Sequence, residues 1–260
     1  MVIFDCCIVL LFLSFLLLKA KDGKLEHLRQ LIIKNRTPAL IVSLIFFLGE
    51  AIGTLRLSGI LTGLCQGIVF FCLSSTGFAF AEYNRDFSPL PVTKSFAQRE
   101  GRAKTTLSFL LFAVILFVLL ILLGMFVPQI CFAVFHEPDL RKEAVTSIPS
   151  PNKVLAFPLL LAEAGIAEES VFRLLFQSLF RCVLKLDCAA ILLSSLCFAL
   201  YHLSPLDSMY LVYWHFPLTQ FTSVFISGIA LGWFYRRFGF ETVVLGHTLS
   251  DYLSVMMTAH

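Results

Sequence analysis

The chain has 260 residues, of which 58% are hydrophobic and 14% charged, about half the charged share of a typical soluble domain. That composition excludes an ordinary soluble globule. The formal net charge of +3 is small and its basic residues sit in short connections between apolar stretches, so it sets membrane orientation and gives no footing for nucleic acid.

Apolar segments long enough to cross the roughly 30 Å hydrocarbon core as helices recur along the chain. The expected fold is therefore an all-α, polytopic membrane helix bundle of about eight transmembrane helices. The stretch from Met1 to Leu18 has no preceding Lys or Arg, contains Asp5 and is followed by no small-x-small cleavage site, so it is read as a retained first helix and not a signal peptide. Basic residues then follow at Lys19, Lys21, Lys24, Arg29, Lys34 and Arg36, the pattern of a helix inserted with its N-terminus outside. Further crossings are expected at about 37–57, 59–82, 105–128, 154–180, 186–203, 217–235 and 239–258. With these spans, the loops 19–36, 83–104, 181–185 and 236–238 are cytoplasmic and carry fifteen Lys and Arg, against four outside at Arg56, Arg141, Lys142 and Lys153. The region from Thr105 to Phe135 is too long for one simple crossing, and Gly124 and Pro128 are expected to end its helix.

Glycines recur at helical spacing in Gly49/Gly53, Gly59/Gly63/Gly67 and Gly228/Gly232, stripes that let helix backbones pack closely within the bundle. All eight cysteines lie in or beside apolar segments without a CxxC pair and read as small hydrophobes, silent about redox compartment. No repeat or soluble domain interrupts the chain. It is one integral-membrane domain over 1–260, with chemistry concentrated in 154–258, and the polar connections 83–104 and 136–153 are expected to cap the bundle.

A charge at the bilayer centre costs about 2.5–3.5 kcal/mol on the most lenient scale, so ionisable residues kept there point to transport, proton relay or catalysis. They concentrate in three helices: Glu163, Glu168, Glu169 and Arg173 in one, His202 at the end of the next, and His247 with Asp251 in the last. Asp5 and Glu50 stand apart and read as partners for a polar group on a neighbouring helix. Glu169 and Arg173, four apart, share a helix face and can pair. Glu168 is rotated by about 100° from Glu169 and meets Phe172 four residues on, so its carboxylate is free for proton transfer. His247 and Asp251 again share a face, which lets the carboxylate orient the imidazole. Counted at about 1.5 Å per residue, Glu169, His202, His247 and Asp251 reach similar depths near mid-membrane, so the three helices are expected to share one intramembrane site.

In these helices Glu168-Glu169-Ser-Val-Phe-Arg173 reads EExxFR, Phe198-Ala-Leu-Tyr-His202 reads FxxxH, and His247-Thr-Leu-Ser-Asp251 reads HxxxD. Three motifs in this order, covering about 160–255, resemble the CAAX protease and bacteriocin-processing family, also called CPBP or Abi, whose members are integral-membrane endopeptidases. The resemblance implies that Glu168 is the general base, that His202 helps to hold the water, that His247 with Asp251 faces the developing oxyanion, and that Glu169, Arg173 and the motif's Phe198 support the site. The family often has Asn where this chain has Asp251. An ionised Asp repels an oxyanion, so Asp251 is read as orienting His247. No cofactor is expected, with zinc as the alternative, since two histidines and carboxylates can ligate it but lack a compact metal motif here. HExxH, GxGD and GxS patterns are absent.

The leading reading is an intramembrane peptidase acting on a membrane-associated protein or peptide, including the prenylated CAAX type. The competing readings are a non-catalytic family member, such as a bacteriocin-immunity or scaffold protein, and a proton-coupled transporter. The expected location is the cytoplasmic membrane of a prokaryote, or the endoplasmic reticulum of a eukaryote.

Overall fold

The computed structural model describes residues 24–54, 57–84, 87–137, 153–203 and 217–258, and every one of its regular elements is a helix. The expected first helix over 1–18, Asp5, Cys6 and Cys7 lie outside the described residues, as do 138–152 of the second polar connection. In chain order the elements are α1 (Lys24–Lys34), α2 (Arg36–Thr54), α3 (Leu57–Tyr83), α4 (Pro91–Gln98) and α5 (Arg102–Phe135). One long rod follows, made of α6 (Lys153–Leu160), two π-helical stretches π1 (Leu161–Glu168) and π2 (Ser170–Gln177), and α7 (Ser178–Leu184). Helices α8 (Asp187–Tyr201), α9 (Leu218–Phe238) and α10 (Phe240–Thr258) complete it.

Among the described residues three helices are long and apolar enough to cross a membrane, over Arg36–Thr54, Ile60–Tyr83 and Arg102–Phe135. Their outer faces expose Leu40, Leu44, Leu61, Ile68, Leu111 and Phe126, a quantity of apolar surface that only lipid accommodates without aggregation. Helix α5 departs from expectation. It runs unbroken for 34 residues through Gly124 and Pro128, because ending a helix in hydrocarbon would strand several backbone polar groups, whereas an internal proline removes one donor. The basic connection 19–36 likewise contains a helix, α1, whose Leu28 and Leu31 are buried.

Close backbone approach holds the bundle together. A Cβ on Gly49 would sit 2.5 Å from the Pro158 carbonyl oxygen, and one on Gly53 would sit 2.6 Å from the Leu159 side chain, so α2 rests directly on the rod. Gly228 and Gly232 receive α8 and the rod in the same way, with Gln177 Nε2 donating to the Gly232 carbonyl at 2.9 Å. The expected packing role of these stripes is therefore what the fold uses. The core they enclose is aromatic-rich, including Phe46, Phe78, Phe172, Phe234 and Tyr235. The six described cysteines are all free thiols, but Cys65, Cys72 and Cys188 are exposed and not buried as expected; they stand on outward faces, where an apolar thiol meets lipid as readily as core.

The connection after α3 does cap the bundle. Both carboxylate oxygens of Glu241 on α10 accept from the first turn of α4, from Val92 N and Thr93 N at 2.8 Å each, so a side chain from a distant helix satisfies orphan donors at that N-terminus. Phe240 N donates to the Pro89 carbonyl at 2.7 Å. Gly239, at φ +92°, makes the α9–α10 turn against Pro91, where a side chain would have no room.

Candidate active site

The crossing expected over about 154–180 falls on the rod, and the rod's winding is the main departure at the site. Two eight-residue stretches wind with π-type i→i+5 bonding and meet at Glu169, so the EExxFR motif straddles their junction. Widened turns of this kind occur mostly at functional sites. Here they coincide with close packing on three sides: Gly49 and Gly53 of α2, Gly77 of α3 against Leu174, and α10 against Gly165. A Cβ on Gly165 would meet the Thr248 hydroxyl and lie 3.1 Å from the Val244 carbonyl oxygen. The bare backbone at this position brings α10, and with it His247, against the carboxylates of the rod.

Glu169 is the inner anchor. Its Oε2 lies 3.3 Å from Arg173 Nε, and both side chains have 0% exposure. Its Oε1 accepts from His247 Nδ1 at 2.8 Å. The expected Glu169–Arg173 pairing is present, and it also fixes the imidazole. Asp251 stands beside the same ring, as its i,i+4 spacing implies, but on the other nitrogen. Its Oδ2 stands 3.6 Å from His247 Nε2, on the nitrogen facing the site, while the orienting bond on Nδ1 comes from Glu169. The physical reason is reach: Glu169 is fully buried behind the ring and pinned by Arg173, whereas Asp251 sits one turn along α10 on the open side.

Phe198 takes a definite part that spacing alone left undefined. Its ring lies 4.2 Å from the Arg173 guanidinium carbon, a cation–π contact inside a dry interior. It also stands edge-on to His202 at 4.5 Å and to Phe172 at 5.2 Å. Phe172, 1% exposed, also packs against Phe176 and Tyr201.

Glu168 faces both histidines. Its Oε1 is 3.8 Å from His202 Nε2 and its Oε2 is 4.0 Å from His247 Nε2, too long for direct hydrogen bonds but within the span of one bridging water. The ring orientations agree. His202 Nδ1 lies 2.9 Å from the Phe198 carbonyl, which can only accept, so Nδ1 carries a proton and Nε2 is the nitrogen turned toward Glu168. Each imidazole is tied at Nδ1 and aims Nε2 at the same carboxylate.

Side-chain exposure rises from 0% at Glu169 and Arg173, through 9% at His247, to 20% at Glu168, 25% at His202 and 39% at Asp251. The ion pair is sealed, and the residues facing Glu168 line the accessible side. Glu163 stays out of this cluster. It lies beside Glu50 of α2, and so is the polar group on a neighbouring helix that Glu50 was expected to meet. Among the described residues no group of three His, Cys, Asp or Glu side chains converges at metal-binding distance.

Residues 150–253 match the family described as type II CAAX prenyl endopeptidase, Rce1-like. This segment is a domain of that family. The Rce1-like segment contains all three motifs and every site residue named above, and it supports a protease of CAAX type acting in a membrane. Residues 1–149 lie outside the match. No curated protein and no solved structure matches the chain.

Sequence reasoning had no means to find the closeness at Gly165, the Glu169–His247 bond or the π winding. The one available hint was the small-residue run Ala162-Glu-Ala-Gly165-Ile-Ala167, which marks a face built for close approach.

Proposed function

We propose that this protein is an intramembrane endopeptidase that hydrolyses a peptide bond in a membrane-associated protein, of the prenylated CAAX type, with about eight transmembrane helices surrounding the site. The reading is carried by one observation: a carboxylate at water-bridging distance from two imidazole nitrogens contributed by two other helices. Glu168 and Nε2 of His202 hold a water. Glu168 takes a proton from it as its oxygen attacks the scissile carbonyl, then returns that proton to the departing amine, leaving a new carboxylic acid and a free amine. His247 Nε2 faces the charge developing on the carbonyl oxygen, with the ring held at Nδ1 by Glu169 behind it. Asp251, 3.6 Å from the same nitrogen, faces the accessible side. The chemistry requires no resident metal.

The deciding experiment compares Glu168→Gln with Glu169→Gln in cleavage of a farnesylated CAAX peptide by the purified protein in liposomes. Glu168→Gln is expected to lower the cleavage rate by about 10²–10⁴-fold, the usual contribution of a general base, while the protein accumulates normally. Glu169→Gln is expected to reduce accumulation first. Equal accumulation defects in both, or normal cleavage by Glu168→Gln, would sink the reading. Pretreatment with a zinc chelator is expected to leave the rate unchanged; a loss restored by added zinc would replace the glutamate-only mechanism with a metal-assisted one.

A further inference from the structure

A second cavity of about 680 Å³ lies apart from the site, where the ends of α4, α5, α8, α9 and α10 meet. None of the residues facing Glu168 lines it. Its chemistry changes with depth in the same sense on three helices. On α9, Arg236 and Arg237 stand at the C-terminal end and Trp233 lines the cavity one turn further in. On α5, Thr105 near the N-terminus gives way to Phe109 a turn deeper, and on α8, Asp187 gives way to Ile191. Phe238, the last residue of α9, lines the cavity at the same end, stacked on Phe112 at 3.7 Å. The cavity is therefore a polar, cationic mouth over an apolar, aromatic interior.

The two arginines differ in availability. Arg236 Nε donates to Asp187 Oδ1 at 2.9 Å, and Arg181 reaches the same oxygen at 2.7 Å, so the acid is already shared by two cations. Arg237 is exposed and has no ion pair among the described residues. The mouth keeps net positive charge. It sits at the end of the bundle that carries the basic connections, the end the charge rule assigns to the cytoplasm. Anionic lipid headgroups concentrate there, and basic pockets between helices at that level bind them.

We propose that this cavity is a binding site for an anionic phospholipid, whose phosphate meets Arg237 and the Thr105 hydroxyl and whose acyl chain lies along Phe109 and Trp233. The amphipathic order of the cavity matches the order of headgroup and chain in a lipid of the adjoining leaflet, and its uncompensated charge selects an anionic headgroup over a zwitterionic one. A bound lipid would join α4 and α5 to the α9–α10 turn. The assignment is independent of the peptidase reading.

Native mass spectrometry of the full-length protein, with phosphatidylglycerol and phosphatidylcholine of identical acyl chains, tests it. The wild-type protein is expected to retain phosphatidylglycerol in preference. Arg237→Gln is expected to weaken phosphatidylglycerol about fivefold, the equivalent of ~1 kcal/mol for one basic residue at an anionic surface, and to leave phosphatidylcholine unchanged. Ser108→Leu, which fills the cavity without altering charge, is expected to weaken both lipids. Arg29→Gln, a basic site on α1 away from the cavity, is expected to change neither. Equal retention of both lipids by the wild type, an Arg29→Gln effect as large as that of Arg237→Gln, or displacement of the lipid by a farnesylated peptide would overturn the assignment, the last by making the cavity a site for the substrate's isoprenoid.

Discussion

Helix α5 and the rod from Lys153 to Leu184 are of similar length, and they meet opposite surroundings. The most apolar 18-residue stretch of helix α5 has a mean hydropathy of 3.3 and is only 17% buried; past its first turn the helix carries no charge and keeps regular α winding even through Pro128. The rod carries Glu163, Glu168, Glu169 and Arg173, is buried along most of its middle, and abandons α winding for two π stretches where those charges lie. A helix facing lipid needs only its own backbone bonds to be whole. A helix burying ions needs partners from other helices, and its winding follows where those partners stand.

The sharpest way to break this contrast is to unbalance the rod. Arg173→Leu leaves Glu169 buried against His247 without its cation, and loss of one partner of a buried pair costs about 3–5 kcal/mol. Thermal unfolding in detergent is expected to show a large drop, with cleavage lost even in the surviving folded fraction. Gly165→Val comes next. Its side chain collides with Thr248 and the Val244 backbone, so α10 must move away from π1. The expected outcome is a folded protein whose cleavage falls far more than its stability, readable as a kcat loss beside a modest change in melting temperature.

Phe198→Leu keeps the volume apolar but removes the ring under Arg173, at a cost of about 0.5–2 kcal/mol, seen as a smaller melting shift. Pro128→Ala in α5 sharpens the comparison from the other side. Its melting temperature is expected to change less than in any of the rod variants and its cleavage rate to stay at the wild-type value; a large loss of activity would mean that α5 is coupled to the site.

Much of the site was legible because helix periodicity places residues four apart on one face whatever surrounds them. Glu169 with Arg173 and His247 with Asp251 follow from that rule alone, and so does the separation of Glu168 from the pair. The convergence of three helices followed from the cost of charge in lipid, which forces such groups together. The second carboxylate on His247 was not legible, because Asp251 is the one visible on its own helix. The fixing bond comes from Glu169, 78 residues away in the chain, and one strand of text carries no record of that distance closing. The end expected for α5 at Gly124 and Pro128 failed for a different reason. Helix-stop signals assume water to receive the freed backbone groups, and hydrocarbon has none.

What the chain dictates by itself is the material: apolar spans sized to the bilayer, basic connections that orient them, glycine stripes that fit backbones together, and three motifs that put acid and imidazole at matching depth. Those are local properties, written in composition and in the 3.6-residue period. The winding of the rod, the nitrogen on which each imidazole is held, and the cavity where five helix ends meet were decided only in three dimensions. Each depends on contacts between residues far apart in sequence, and such contacts exist only after the helices have packed.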